Sequence, residues 1–120
     1  MSPARPNPKT RSADLQGNAH VFAALGDETR LRLVARLCSA GPLSISRLTD
    51  GAAVTRQAIT KHLAVLEGVG IVRGTRSGRE RLWELEPRQI EAARQCLDLI
   101  SKQWEDALGR LKFLVERESR

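Results

Sequence analysis

A mainly α-helical fold with one small β-hairpin, in the order α-α-α-α-β-β-α, is predicted by three features of the sequence. Apolar residues recur at helical spacing through most of residues 15–118, which is the mark of helices with one buried face. Between residues 71 and 85 the period changes to two, around Ser77-Gly78, as strands joined by a tight turn require. Aromatic residues are few (Phe22, Trp83, Trp104 and Phe113, with no tyrosine), so Leu, Ile, Val and Ala must build the interior. With 120 residues and 41% hydrophobic content, there is material for one core and little else.

Residues 1–14 place Pro3, Pro6 and Pro8 among Arg5, Lys9 and Arg11. Such a stretch has little to bury and reads as a disordered basic tail, with the folded domain at 15–118. The first helix is expected over Leu15–Leu25, carrying Leu15, Ala19, Phe22, Ala23 and Leu25. Gly26 stops it and Asp27 is placed to cap the next. That second helix, Glu28 to Ala40, turns Leu31, Val34, Ala35, Leu37 and Cys38 inward, and Gly41-Pro42 ends it. Ser44 caps a short third helix through Asp50, with Ile45 and Leu48 inward.

Thr55 is the natural N-cap of a fourth helix that runs to Val69. Ile59, Leu63, Leu66 and Val69 fall on one buried face, and Gly70 sits where a left-handed C-cap is wanted. The hairpin follows, its strands Ile71–Arg76 and Arg79–Leu85. Pro87 suits the first turn of a final helix reaching about Glu118, roughly 45 Å long. Ile90, Leu97, Trp104 and Leu111 repeat every seven residues along it, as do Ala93, Ile100, Ala107 and Leu114. A two-column stripe of this kind is a seam for another helix. Part of it must pack on its own domain, but its length favours a second subunit.

Charge is unevenly distributed. The chain is +6 overall, yet residues 54–83 carry six basic side chains (Arg56, Lys61, Arg73, Arg76, Arg79, Arg81) against Glu67 and Glu80, a net +4. Residues 84–120 are −1. A local excess of this size points to a polyanionic partner. Enzymatic function is not expected: there is no Gly-rich phosphate loop, no nucleophile–base pairing and no cluster of carboxylates. No apolar run approaches a membrane span, and the N-terminus lacks the apolar stretch of a secretory signal. Cys38 and Cys96 lie far apart without paired spacing, which fits a reducing cytoplasm rather than a disulfide framework.

Opposite the buried face of the fourth helix lie Arg56, Gln57, Thr60, Lys61 and Ala64. Gln matches adenine, Arg or Lys matches guanine, and Thr can address either kind of group or the thymine methyl. Ala58 and Ala64 are small enough for the helix to seat deeply. Arg76 and Arg79 flank the hairpin tip, followed by Arg81. A capped reading helix after a tight turn, beside a basic hairpin, is the winged helix-turn-helix arrangement, and its partner is a double-stranded DNA operator. A winged-helix module that binds only protein is the rival, but such modules usually lack both a basic wing and a polar reading face.

Three separated segments resemble one family. Ala24-Leu25-Gly26-Asp27-Glu28-Thr29-Arg30-Leu31-Arg32-Leu33 closely resembles the opening motif of the ArsR family of bacterial winged-helix regulators. Thr55–Leu63 with Leu66–Val72 looks like that family's recognition helix and the strand after it, and Arg76–Arg81 looks like its wing. The resemblance spans about residues 15–115. It implies a cytoplasmic, nucleoid-associated homodimer built from the first and last helices, with Leu15, Phe22, Leu97, Ile100, Trp104, Ala107 and Leu111 in the interface. It also implies binding to an imperfect palindrome near a promoter, and repression relieved by a signal. The DNA-binding set is then Thr55, Arg56, Gln57, Thr60, Lys61, His62, Arg76, Arg79 and Arg81, with His62 either packing or touching DNA.

The departures from the family concern the signal. Metal-sensing members carry a cysteine pair in the third helix, where this chain has Leu43-Ser44-Ile45-Ser46-Arg47-Leu48. Serine hydroxyls do not replace thiolates for soft metals. Zinc sensors use His and Asp on the last helix, which here has no histidine; the two histidines are His20 and His62. No metal site and no cofactor are therefore expected, and Gln103–Lys112 resembles a metal-free branch. Some relatives sense reactive sulfur with cysteines on the second and last helices, so Cys38 and Cys96 offer a thiol-responsive alternative. Both lie on or beside apolar stripes, where free cysteine behaves as a small core residue. Burial is the expected state of both.

Overall fold

The computed structural model describes residues 8–118. In chain order the elements are α1 (Pro8–Leu25), α2 (Glu28–Ala40), β1 (Leu43–Ser44), α3 (Ile45–Thr49), α4 (Arg56–Gly68), β2 (Val72–Ser77), β3 (Glu80–Leu85) and α5 (Pro87–Glu118). The strands form an antiparallel sheet in the order β1-β3-β2. The expected order of four helices, hairpin and long helix is present, with β1 added. That strand is two residues long and pairs Leu43 with Trp83 and Ser44 with Leu82. Its existence depends on a partner forty residues away, so no local periodicity announces it. Helix α1 begins at Pro8 rather than Leu15. A proline in the first turn loses no hydrogen bond and has its φ already set for the helix. Residues 1–7 of the expected tail lie outside the described residues.

The helix starts are set by side-chain caps. Asp27 accepts from the Arg30 N–H at 3.0 Å, Ser44 from Arg47 at 3.3 Å and Thr55 from Ala58 at 3.2 Å. Each satisfies an amide that has no partner inside its own helix. At the far end of short α3, the Arg36 guanidinium reaches over from α2. It donates to the carbonyls of Leu48 and Arg47, both at 2.8 Å, which fixes α3 against α2. The hairpin turn is displaced by one residue from expectation. Ser77 pairs with Glu80, leaving Gly78-Arg79 as the two-residue loop. Gly78 has φ 65°, and no non-glycine residue of the described chain has positive φ. Left-handed backbone at the first loop position alone is the type II′ pattern, which matches the strand twist.

Leu48, Ile59, Leu63, Leu66 and Ile71 are fully buried at the centre, joined by Val21, Ala24, Leu33, Leu37, Val72, Trp83 and Ala93. Two inward faces differ from those expected. On α2 the buried residues are Leu33 and Leu37, while Leu31, Ala35 and Cys38 are exposed. On α1, Val21 and Ala24 turn inward, and Leu15, Ala19 and Ala23 are exposed. Both helices carry apolar residues on two faces, so helical spacing alone did not decide which one meets the core. Helix α5 is anchored by its first turns, through Ala93 and the half-buried Ile90. From Leu97 onward its large apolar side chains are exposed. No helix among the described residues is long and apolar enough to cross a membrane.

Candidate nucleic-acid interface

Helix α4 is held by its inner face, with Ile59, Leu63 and Leu66 buried against the α2 and α3 core. At about 100° per residue, that orientation points Gln57, Lys61 and Ala64 the other way, with Thr60 on the flank and Arg56 at the helix's first position. All five are exposed. The Thr60 hydroxyl donates to the Arg56 carbonyl at 2.9 Å, which leaves its methyl and lone pairs outward. Thr55 is engaged as the cap. Arg56, Gln57 and Lys61 have no side-chain partner among the described residues, so their donors are free.

His62 has turned the other way. Its Nδ1 accepts from Arg30 Nη1 at 3.3 Å and lies 3.9 Å from Asp27 Oδ2. The same Arg30 donates through Nε to the Ala24 carbonyl at the end of α1. The Arg30 N–H that Asp27 caps holds the Asp27 carboxyl below the ordinary carboxylate range. Desolvation opposes this, while the charge of Arg30 adds to it. Of the two roles open to His62 from the sequence, packing is the one this geometry serves.

The six basic residues of the 54–83 segment also divide. Arg73 Nε donates to Glu84 at 2.9 Å and Nη1 to Glu86 at 2.9 Å. These contacts, the Glu84 hydrogen bond first, raise its pKa further above the ordinary value. Arg81 donates to Glu67 at 3.2 Å and lies over the Trp83 ring. Arg56, Lys61, Arg76 and Arg79 are exposed and, among the described residues, unpaired. The unpaired basic groups of this segment are thus on α4 and at the wing tip. Sequence reasoning missed the pairings of Arg30, Arg73 and Arg81. The strand alternation that puts Arg81 and Trp83 on one face, opposite Gly74, was a readable signal for the last.

The seam residues expected for a second subunit are mostly uncovered. Leu15 is 63% exposed, Leu97 53%, Ile100 41%, Trp104 64% and Leu111 58%. Phe22 and Ala107 are half-buried. The cysteines differ from expectation: Cys38 is exposed and Cys96 only half-buried. Leu37 takes the inward position on α2, and one residue further round the helix Cys38 clears the core. Ser44, at one of the metal-sensor thiol positions, is buried and spends its oxygen on the α3 cap. Among the described residues no group of three His, Cys, Asp or Glu side chains is placed to hold a metal ion.

Comparison with known proteins agrees with this architecture. Residues 25–75 match a family described as a helix-turn-helix domain. The HTH-type transcriptional regulator Rv2034 of Mycobacterium tuberculosis is 35% identical over 97 residues, covering 81% of this chain and 87% of that protein. The HTH-type transcriptional repressor SmtB of the same organism is 30% identical over 106 residues, covering 88% and 76%. Among solved structures, an ArsR-like transcriptional regulator from Rhodococcus sp. RHA1 superposes with a TM-score of 0.75 at 33% identity, covering 85% of this chain and 95% of that one. On these matches, and with its own helix-turn-helix, wing and long terminal helix, the chain belongs to the ArsR family of winged helix-turn-helix, DNA-binding transcriptional regulators.

Proposed function

We propose that this regulator is a homodimeric repressor that reads an imperfect palindrome at a promoter, with no metal involved in its signal. The observation that carries the reading is that Arg56, Lys61, Arg76 and Arg79 on α4 and the wing are exposed and, among the described residues, unpaired. Gln57, Thr60 and Lys61 discriminate bases in the major groove, while Arg76 and Arg79 engage phosphate beside it. Two such surfaces are joined through α1 and the exposed stripe of α5, because one α4 alone spans too few base pairs for useful specificity. Similarity to the repressor SmtB supports repression. Serines in place of thiols, with Ser44 committed to a cap, support independence from metal.

Selection from a random duplex pool tests this directly. The expected product is a two-fold related pair of half-sites about one helical turn apart, near 34 Å. Affinity for it should fall steeply with salt and stay unchanged when zinc, cadmium or arsenite is added at micromolar concentration. A single unrepeated site, or release by metal, would sink the respective part of the proposal. The exposure of Cys38 favours one second reading, a thiol-responsive repressor using Cys38 and Cys96. Persulfide-driven release from the operator that disappears in Cys38→Ser would establish it.

A further inference from the structure

The two faces of the wing hairpin are unequal. One carries Arg73, Thr75 and Ser77 opposite Glu84, Leu82 and Glu80; the other carries Val72, Gly74 and Arg76 opposite Leu85, Trp83 and Arg81. At the tip end of the second face, Arg76 and Arg81 are direct cross-strand partners. Like charges in that relation weaken a sheet unless one is drawn aside. Arg81 is the one drawn aside. Its guanidinium lies 4.3 Å from the centre of the Trp83 ring, and Nη2 donates at 3.2 Å to Glu67 in the last turn of α4.

The path it takes is cut into the hairpin. A Cβ on Gly74 would meet Arg81 Nη2 at 2.8 Å and Cζ at 2.9 Å, with Nε nearer still. Gly74 does not have positive φ, so backbone conformation does not demand a glycine there. A glycine within a strand then marks a place where another group must come close. Here that group is the Arg81 side chain.

We propose that Arg81 is a positioning residue for DNA binding, clasping the wing to the C-terminal turn of α4 and leaving Arg76 to point outward, rather than a phosphate contact. The inference rests on the DNA-binding reading above and adds to it a fixed geometry between reading helix and wing. A wing free to swing must be ordered each time the duplex binds, and affinity falls although no contact is lost. Removing the clasp therefore weakens binding without changing how many phosphates are neutralised.

The test uses the full chain and a duplex recovered by selection, with affinity measured across a range of salt. Arg79→Ala serves as the phosphate-contact reference and should lower the salt slope by about one. Gly74→Ala retains every charge but evicts Arg81, whose flexible end can move without disturbing the fold. It should weaken binding about three- to tenfold at an unchanged slope, the scale of one ion pair plus one cation–π contact. Glu67→Gln adds a net positive charge, so electrostatics alone would tighten binding; the clasp instead requires loss of similar size. The double variant should lose little more than either single one. Glu67 is on the surface, so that arm remains readable should Gly74→Ala fold poorly. Emission of Trp83 without DNA, taken as a difference spectrum, should change in both variants. The clasp is overturned if both bind as well as the unaltered chain while Arg81→Ala lowers the slope like Arg79→Ala, or if Trp83 emission stays unchanged. An unaltered chain with no salt-dependent duplex binding would instead count against the DNA-binding reading itself.

Discussion

Arg73 and Glu84 are cross-strand partners in register, and the Arg73 Nε–H donates to the Glu84 carboxylate at 2.9 Å. With Glu86 on its other arm, this arginine is spoken for within the hairpin, although it belongs to the most basic stretch of the chain. Arg73→Gln should therefore leave the salt dependence of DNA binding as it is, in contrast to Arg79→Ala. Fluorescence anisotropy at several salt concentrations distinguishes them. A fall in slope of about one for Arg73→Gln would show that the pair opens on the duplex.

Gln57 and Lys61 point away from the core on successive turns of α4. Gln57→Ala or Lys61→Ala should cost about 1–3 kcal/mol of binding and change the preferred bases at one position of each half-site. Repeating the operator selection with each variant reads this out. An unaltered consensus for Lys61→Ala would move the reading face elsewhere.

Ile100 sits mid-stripe on α5, 41% exposed in the single chain. Ile100→Glu would place two carboxylates at the centre of a symmetric interface, or drive the subunits apart to keep them hydrated. Sedimentation should show a monomer, and operator binding should be lost although no DNA-facing residue has changed. A folded variant that stays dimeric and binds as before would leave the interface to α1.

Asp27 titrates with a depressed pKa because its carboxylate caps α2. Its ordinary, unfolded-state value is about 3.9, so the folded state binds that proton less readily than the unfolded one. The cap's contribution is then complete above the unfolded value and disappears as pH falls through the lower, folded value. Asp27→Asn keeps an acceptor for the Arg30 N–H but has nothing to titrate. Its acid unfolding below about pH 4 should be shallower than that of the unaltered chain. Thermal melts across pH 2.5 to 6 decide; equally steep acid limbs would mean that Asp27 is not a significant part of the acid response.

What the sequence disclosed follows from how local each signal is. The caps Asp27, Ser44 and Thr55 act three residues away, and the inner face of α4 is set by its own spacing, so these were legible. The chosen faces of α1 and α2 were not, because leucine and alanine recur on both sides and only packing selects between them. The contacts of His62 and Arg81 within the fold were not legible, because their partners lie 32 and 14 residues away in the chain. Composition marks such residues as basic or polar, whereas tertiary structure determines whether a donor remains free. The exposure of Cys38 has the same origin, a one-residue rotation past Leu37.

The length of α5 has a consequence for how the regulator responds to its own abundance. Beyond Ile100 the helix has no large buried side chain, and an isolated segment of that length is marginal in water. Should the exposed stripe pair two chains, as proposed, its helical state and that pairing would form one linked equilibrium, dependent on protein concentration. In that event chains at low copy number would be mostly single, with a frayed end and negligible hold on DNA. As copies accumulate, occupancy would climb with the square of concentration before it saturates. Regulation by such a pair would switch over a narrow interval of expression.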